Sequence, residues 1–139
     1  MAEATTSANA AMSIAASALT AQQARMRVIA ENIANSDSVS QTAGGDPYRR
    51  QSPVFVPTTL ANGATGVRMT GVQADTSPFR TEYNPGNPAA DAKGYVKMPN
   101  VDPLTEAMDM REAQRAYEAN LNVIETARTM QSRTLDLLK

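Results

Sequence analysis

The chain has 139 residues, a formal net charge of −1, only 4% aromatic residues, and neither cysteine nor histidine. The sequence therefore excludes disulfides, Cys/His zinc sites and histidine-dependent nucleophilic catalysis, and it lacks the basic excess that nucleic-acid binding requires. So few large side chains predict a thin core, and a chain that gains stability by packing against other subunits.

The first predicted element is a helix over residues 7–35. No Gly or Pro occurs in residues 1–43, and Ser7 or Asn9 is expected to cap the helix start. Its apolar residues recur with a period of 3.5, which is typical of a coiled-coil seam, although an amphipathic helix on an ordinary core gives a similar pattern. The seam consists of Met12, Leu19, Met26, Ile29 and Ile33. Near its end, Asn32 and Asn35 are expected either to cap the helix or to hydrogen-bond a neighbouring subunit.

The alanine-rich run over residues 8–21 resembles the apolar core of a secretory signal. No basic residue precedes Arg25, however, and a secretory signal needs a positively charged leading region. We therefore expect no cleaved signal peptide.

Residues 37–102 hold all seven glycines and most of the prolines, and they are predicted to form strands at 53–59, 66–75 and 95–99 joined by ordered loops. Asn62-Gly63 is a favourable hairpin turn, and Pro85-Gly86 fits a type II turn. Tyr48, Arg49 and Arg50 are interpreted as a contact surface, with plain solvent exposure as the alternative. The acidic residues of this segment show no pairing typical of general acid/base catalysis, so no catalytic site, cofactor or metal is expected.

A second long helix is predicted over residues 103–138. Asp102 is a suitable N-cap, and Pro103 suits the first helical position. The apolar stripe is wide enough to meet more than one neighbour. Its candidate interface residues are Met110, Tyr117, Leu121, Ile124, Met130, Leu135 and Leu138.

These elements predict an α+β fold. The long N- and C-terminal helices pair in an antiparallel, coiled-coil-like domain, and a small β-hairpin and extended-loop insertion lies between them. We divide the chain into an N-terminal helix (1–36), the insertion (37–102) and a C-terminal helix (103–139). Because two helices bury little surface alone, the pair should be stabilised by copies of itself or by relatives.

Four stretches resemble a known family. They are SALTAQQARMRVIAENIANSDS (17–38), PYRRQ (47–51), DTSPFRTEYNPGNPAADAKGYVKMPNVDP (75–103) and AQRAYEANLNVIETARTM (113–130). The first is similar to the N-terminal signature of bacterial flagellar axial proteins, with Met26 and Ser38 where leucine and threonine are usual. The other three resemble the proximal-rod members of that family.

The resemblance implies a non-enzymatic structural subunit of the basal-body rod, the periplasm-spanning drive shaft that transmits torque and surrounds the export channel. It implies export by the flagellar type III apparatus and helical assembly with copies of itself and with the rod proteins FlgB, FlgF, FlgG and FliE. Contact with the inner-membrane ring is also implied, and neither nucleic acid nor a small-molecule substrate is expected. A secreted or adaptor-type coiled-coil binding module is the alternative that the helical ends leave open.

Overall fold

The computed structural model describes residues 2–139. Helix α1 spans Ala2–Ala34 and helix α2 spans Pro103–Asp136. Between them lie the strands β1 (Gln51–Thr59), β2 (Thr65–Ala74), β3 (Arg80–Tyr83) and β4 (Tyr95–Met98), in two two-stranded sheets, β1-β2 and β3-β4. The chain forms two compact units. Among the described residues, unit 1 comprises 2–26, Val54–Gly71 and Arg111–Lys139, and unit 2 comprises Arg27–Pro53 and Val72–Met110.

In unit 1 the two helices pair in antiparallel orientation. Three polar contacts join them: Asn9 with Gln131, Gln23 with Tyr117 and Arg25 with Glu112. Residues later in α1 contact residues earlier in α2, so the two helices run in opposite directions. Small side chains fill the contact, which brings the two backbones close together. Five alanines of unit 1 are buried: Ala8, Ala15, Ala21, Ala113 and Ala127. The predicted α+β fold with paired terminal helices is confirmed.

The part of the β1-β2 hairpin that belongs to unit 1 (Val54–Gly71) contacts α1. Its loop is closed by hydrogen bonds from Leu60 N to Ala64 O (2.8 Å) and from Gly63 N to Leu60 O (2.9 Å). Gly63 has a φ of 79°, so the turn predicted at Asn62-Gly63 is confirmed and uses the conformational freedom of glycine. The backbone N–H of Val67 donates to Ser17 Oγ at 3.2 Å and so fixes β2 against the helix.

In unit 2, β3 and β4 pair in antiparallel register from Arg80 opposite Met98 to Tyr83 opposite Tyr95. Sequence reasoning missed β3 because every residue of RTEY is exposed, so the strand has no apolar alternation. The turn at Pro85-Gly86 exists, closed by a hydrogen bond from Asn87 N to Asn84 O. Its predicted type is wrong, because a type II turn requires positive φ at Gly86 and this glycine does not have it.

The start of α2 agrees with the sequence-based prediction, whereas the start of α1 does not. α1 is already helical at Ala2, so the predicted caps Ser7 and Asn9 are wrong: alanine is the strongest helix former, and the helix extends through the alanine-rich start. At α2 the predicted cap is confirmed, since Asp102 accepts hydrogen bonds from Leu104 N (3.1 Å) and Thr105 Oγ1 (2.8 Å). Within residues 2–139, neither helix contains an apolar stretch long enough to span a membrane.

Candidate assembly site

A charged cluster in unit 2 is built around Arg50, and we call it the Arg50 cluster. The Arg50 guanidinium donates from Nε to Oε1 of Glu106 and lies 3.3 Å from an oxygen of Asp109 and 3.6 Å from one of Asp75. The Glu106 side chain is completely buried, whereas 23% of the Arg50 side chain is exposed. One cation therefore faces three carboxylates, two from the first turns of α2 and one from the residue that follows β2.

The three carboxylates hold the pKa of Arg50 above its ordinary value against the opposing effect of burial. The backbone N–H of Arg50 also donates to Asn100 Oδ1 at 2.8 Å. The Asn100 side-chain amide in turn donates to the carbonyl oxygens of Asp75 and Ser77, both at 3.1 Å. The cluster therefore fixes backbone as well as side chains, and it ties the segment before β1, the residues after β2 and the start of α2 together.

Asn32 extends this network to the end of α1. It is 1% exposed. Its Nδ2 donates to Gln51 O at 2.8 Å, and its Oδ1 accepts from Gln51 N at 2.9 Å and from the Tyr48 hydroxyl at 2.8 Å. The same Nδ2 lies 3.3 Å from Glu106 Oε2. The Asn32 side chain therefore hydrogen-bonds both the backbone N–H and the backbone C=O of Gln51, the first residue of β1, as a neighbouring strand would.

The other asparagine near the end of α1 acts locally. Asn35 Nδ2 donates to the Glu31 carbonyl oxygen at 2.9 Å, and Asn35 Oδ1 accepts from the Ser38 hydroxyl at 3.0 Å. Glu31 O also accepts from the backbone N–H of Asn35 at 3.1 Å, so the side chain of Asn35 adds a second bond to this carbonyl group in the last turn of its own helix. Of the two roles expected for the asparagines, the structure gives Asn35 the capping role.

Tyr48 and Arg49 contact their own chain, as Arg50 does. Burial raises the pKa of Tyr48, and the carboxylates of Glu31 and Glu106 raise it further. Arg49 donates to the carbonyl oxygens of Asp75 (2.8 Å) and Ser77 (3.2 Å). Its guanidinium carbon lies 4.1 Å from the centre of the Phe79 ring, a cation–π geometry. All three side chains are half-buried, so only part of each is open to a neighbour.

The apolar candidates on the helices differ in exposure. Ile29 is buried. Six are half-buried: Met12, Leu19, Met26, Met110, Tyr117 and Ile124. Five are exposed by 37–63%: Ile33, Leu121, Met130, Leu135 and Leu138. Further exposed apolar residues lie outside the list of interface candidates, among them Ile14, Leu104, Met108, Val123 and Leu137. Of these, Val123 and Leu137 share a second apolar seam of α2 with Met130.

Unit 1 also contains a shallow apolar groove of about 520 Å³ between the start of α1 and the second half of α2. Its floor consists of small residues on α1, and larger side chains of α2 form its other wall. The lining residues are Ala4, Ser7, Ala8, Ala11, Asn122, Val123, Thr126, Ala127 and Met130. A run of exposed apolar side chains beside a groove of small residues is suited to packing against another helix.

The geometry of the Arg50 cluster does not indicate a catalytic or metal-binding role. The three carboxylates of the Arg50 cluster all contact one guanidinium, and those of Glu106 and Asp75 accept further hydrogen bonds. Among residues 2–139, no three acidic side chains are grouped so that they could hold a metal ion. The arrangement is typical of a subunit whose polar contacts build the fold and whose remaining apolar surface meets other chains.

Comparisons with known proteins agree with this picture. A family model described as flagella basal body rod protein matches residues 12–40, and one described as flagellar basal body rod FlgEFG protein C-terminal matches residues 92–137. The chain is 48% identical over 132 residues to the flagellar basal-body rod protein FlgC of Agrobacterium fabrum, covering 94% of this chain and 95% of that one. It is 47% identical to FlgC of Escherichia coli O6:H1 (89% and 92% covered) and 40% identical to FlgC of Borreliella burgdorferi (92% and 95% covered).

Proposed function

Because the chain belongs to the FlgC family of flagellar basal-body rod proteins, we propose that it joins the rod through the exposed apolar residues of its two terminal helices. Members of this family are structural subunits of the rod and not enzymes, and they assemble with other rod proteins. The observation that carries the proposal is the row of apolar side chains on α2 that remains exposed in the single chain, above all Met130, Leu135 and Leu138.

Burial of these side chains would supply the affinity. Full burial of one Leu or Met side chain contributes about 1.5–3 kcal/mol, so a few of them offset a large part of the entropy that association costs. The groove in unit 1 would receive apolar side chains of a neighbouring helix. Half-buried seam residues such as Met12, Leu19 and Tyr117 would complete such a surface at its edges, and the partly open faces of Tyr48, Arg49 and Arg50 would add polar contacts.

The buried candidates have a different proposed role. Ile29 and Asn32 are 3% and 1% exposed, so a neighbouring chain could not reach them without a rearrangement. We propose that they act indirectly, by fixing the end of α1 to β1 and thereby orienting the surface residues. Residues 1–36 and 103–139 would then form the inner helical domain, and residues 37–102 would form the outer part of the subunit.

The resemblance of the sequence to proximal-rod proteins supports a proposal for the identity of the neighbouring subunits. They are further copies of the chain and the rod proteins FlgB, FlgF, FlgG and FliE, with the inner-membrane ring at one end. A head-to-tail contact whose rotation does not close produces a helical assembly, which suits a proximal rod that transmits torque and surrounds the export channel. Export through the flagellar type III apparatus without a cleaved signal belongs to the same proposal.

The test is a double substitution, Leu135→Lys with Leu138→Lys, in a strain whose own copy of the protein is deleted. Both side chains are more than 60% exposed, so the variant should keep the helix content and melting temperature of the parent. We expect export to continue while rods and hooks fail to form and motility is lost. Val72→Lys is the matched control, because Val72 is 50% exposed but lies on β2. Normal rods in the double variant would contradict the proposal.

A further inference from the structure

The tip of the β1-β2 hairpin has a chemical property that assembly does not require. Asn62 and Gly63 are both exposed there, and an added side-chain atom at Gly63 would meet nothing within 4 Å. Asn62 Oδ1 accepts a hydrogen bond from the backbone N–H of Ala64 at 3.1 Å. This bond folds the side-chain amide back toward the backbone of the two following residues.

We propose that Asn62 is a site of spontaneous deamidation, with water as the only co-reactant. The backbone nitrogen of Gly63, after losing its proton to solvent base, attacks Cγ of Asn62. A carbon–nitrogen bond closes a succinimide ring, the side-chain nitrogen takes a proton from water as its bond to Cγ breaks, and ammonia leaves. Water then opens either ring carbonyl and gives aspartate or isoaspartate at position 62. No oxidation or reduction takes place.

The other asparagines of the chain are less suited to this reaction, for reasons visible in the structure. Asn84 and Asn87 precede prolines, which have no N–H that could become the nucleophile. Asn9, Asn32, Asn120 and Asn122 lie inside helices, where the backbone is held in regular hydrogen bonds. Asn35 follows the end of α1, and its side-chain amide is bonded to Glu31 O and to the Ser38 hydroxyl. Asn100 donates both to Asp75 O and to Ser77 O and precedes a β-branched residue. Asn62 is the asparagine followed by glycine, whose lack of a side chain leaves the attacking nitrogen open.

One contact opposes the reaction. Gly63 N donates to Leu60 O at 2.9 Å, and this bond must break before the nitrogen can attack. The bond lies at an exposed hairpin tip, where local opening costs little free energy, so it slows the reaction without preventing it. The product adds one negative charge to the chain. Its isoaspartate form also lengthens the turn backbone by one carbon, which weakens the closing hydrogen bonds between Leu60 and Ala64.

The test is incubation of the purified full chain at 37 °C over a range of pH values, followed by trypsin digestion and mass spectrometry. The peptide 51–68 contains Asn62 as its single asparagine, and the peptide 28–49 contains Asn32 and Asn35 as internal controls. We expect the acid form of 51–68 to accumulate several-fold faster than that of 28–49 and to form faster as pH rises. The variant Asn62→Gln should lose it.

A parallel incubation in urea measures the intrinsic rate of the unfolded chain. Product in urea but none in the folded chain would overturn the proposal, because the hydrogen bond from Gly63 to Leu60 would then block the reaction. Equal rates for the two peptides in the folded chain would overturn it as well. Isoaspartate detected in 51–68 of the folded chain would support it.

Discussion

The guanidinium of Arg50 is bonded to a carboxylate of Glu106 that solvent does not reach. The two residues lie 56 positions apart in the sequence, and their pairing ties the segment before β1 to the first turns of α2. A completely buried carboxylate is costly to desolvate, so it persists only with a cation and hydrogen bonds around it. Asn32 Nδ2 supplies a further donor at 3.3 Å. The paired charges thus make the position of the two segments specific.

Replacement of Arg50 by Met should therefore destabilise the subunit strongly. It leaves Glu106 buried without its cation, and breaking a buried pair from one side costs about 3 kcal/mol or more. Urea unfolding followed by circular dichroism measures the change in the free energy of unfolding. The control Arg68→Met removes an arginine from an exposed position on β2 and should be nearly neutral. Equal effects of the two variants would show that the Arg50 cluster adds nothing to stability.

Asn32 offers a second prediction, with Asn35 as its natural comparison. Asn32→Ala leaves the backbone N–H and C=O of Gln51 and the hydroxyl of Tyr48 without their partner. Buried polar groups left unpaired cost about 1–3 kcal/mol. Asn35→Ala loses two local bonds at a half-exposed helix end, where water can replace them, and should cost about 1 kcal/mol or less. The free energies of unfolding of the two variants give the comparison, and a smaller loss for Asn32→Ala would contradict the proposed role of Asn32.

Sequence patterns were sufficient for the two helices and for β1, β2 and β4, and insufficient for β3 and for the polar network. The two helices, their antiparallel pairing and the cap at Asp102 follow from periodicity and local chemistry. The partners of Arg50 do not, because Glu106, Asp109 and Asp75 are distant in sequence and each resembles ordinary surface charge. The sequence did contain one indication that Glu106 is buried. Glu106 lies four residues after the N-cap Asp102, in the first turns of α2, and a helix that packs on a core buries one of its faces there.

For the interface candidates, too, the sequence predicts one property and leaves another to the fold. A heptad pattern identifies the apolar face of a helix, but it does not separate the part that packs within the chain from the part that meets a neighbour. Ile29 and Ile33 are one turn apart on α1, yet the first is 3% and the second 37% exposed. That difference depends on the fold of unit 2 around the end of α1, which no local pattern contains.

Stability should fall in acid because folding lowers the pKa values of three aspartates. The backbone N–H of Tyr95, with that of Lys93, lowers the pKa of Asp91. Hydrogen bonds from the hydroxyl and the backbone N–H of Ser77, with the charge of Arg50, lower the pKa of Asp75. The Thr105 hydroxyl, followed by the Leu104 N–H, lowers the pKa of Asp102. A carboxyl whose pKa is lower in the folded state adds stability above its unfolded pKa of about 3.9 and loses it as pH falls through the folded value.

We therefore expect the free energy of unfolding to decrease progressively as the pH falls below about 5. Thermal unfolding across this range measures it. In Asp75→Asn the acid-dependent loss should be smaller than in the parent, because the substituted amide does not titrate. Asp136→Asn, at the exposed end of α2, is the control and should leave the slope unchanged. An unchanged slope in Asp75→Asn would rule out a contribution from that carboxyl.

The contact between β2 and α1 in unit 1 gives the last prediction. A side-chain atom added at Gly66 would lie 2.5 Å from Ser17 Oγ and 3.0 Å from both terminal methyl carbons of Leu60. Gly66→Ala should thus push the hairpin from the helix and weaken the bond from Val67 N to Ser17 Oγ, at a cost of about 1–3 kcal/mol. Gly71→Ala lies on the same strand and meets nothing within 4 Å. It should be neutral or slightly stabilising, because alanine restricts the unfolded chain. Melting temperatures of the two variants measure the difference. Equal melting temperatures would mean that the hairpin does not depend on the close approach of Gly66 to α1.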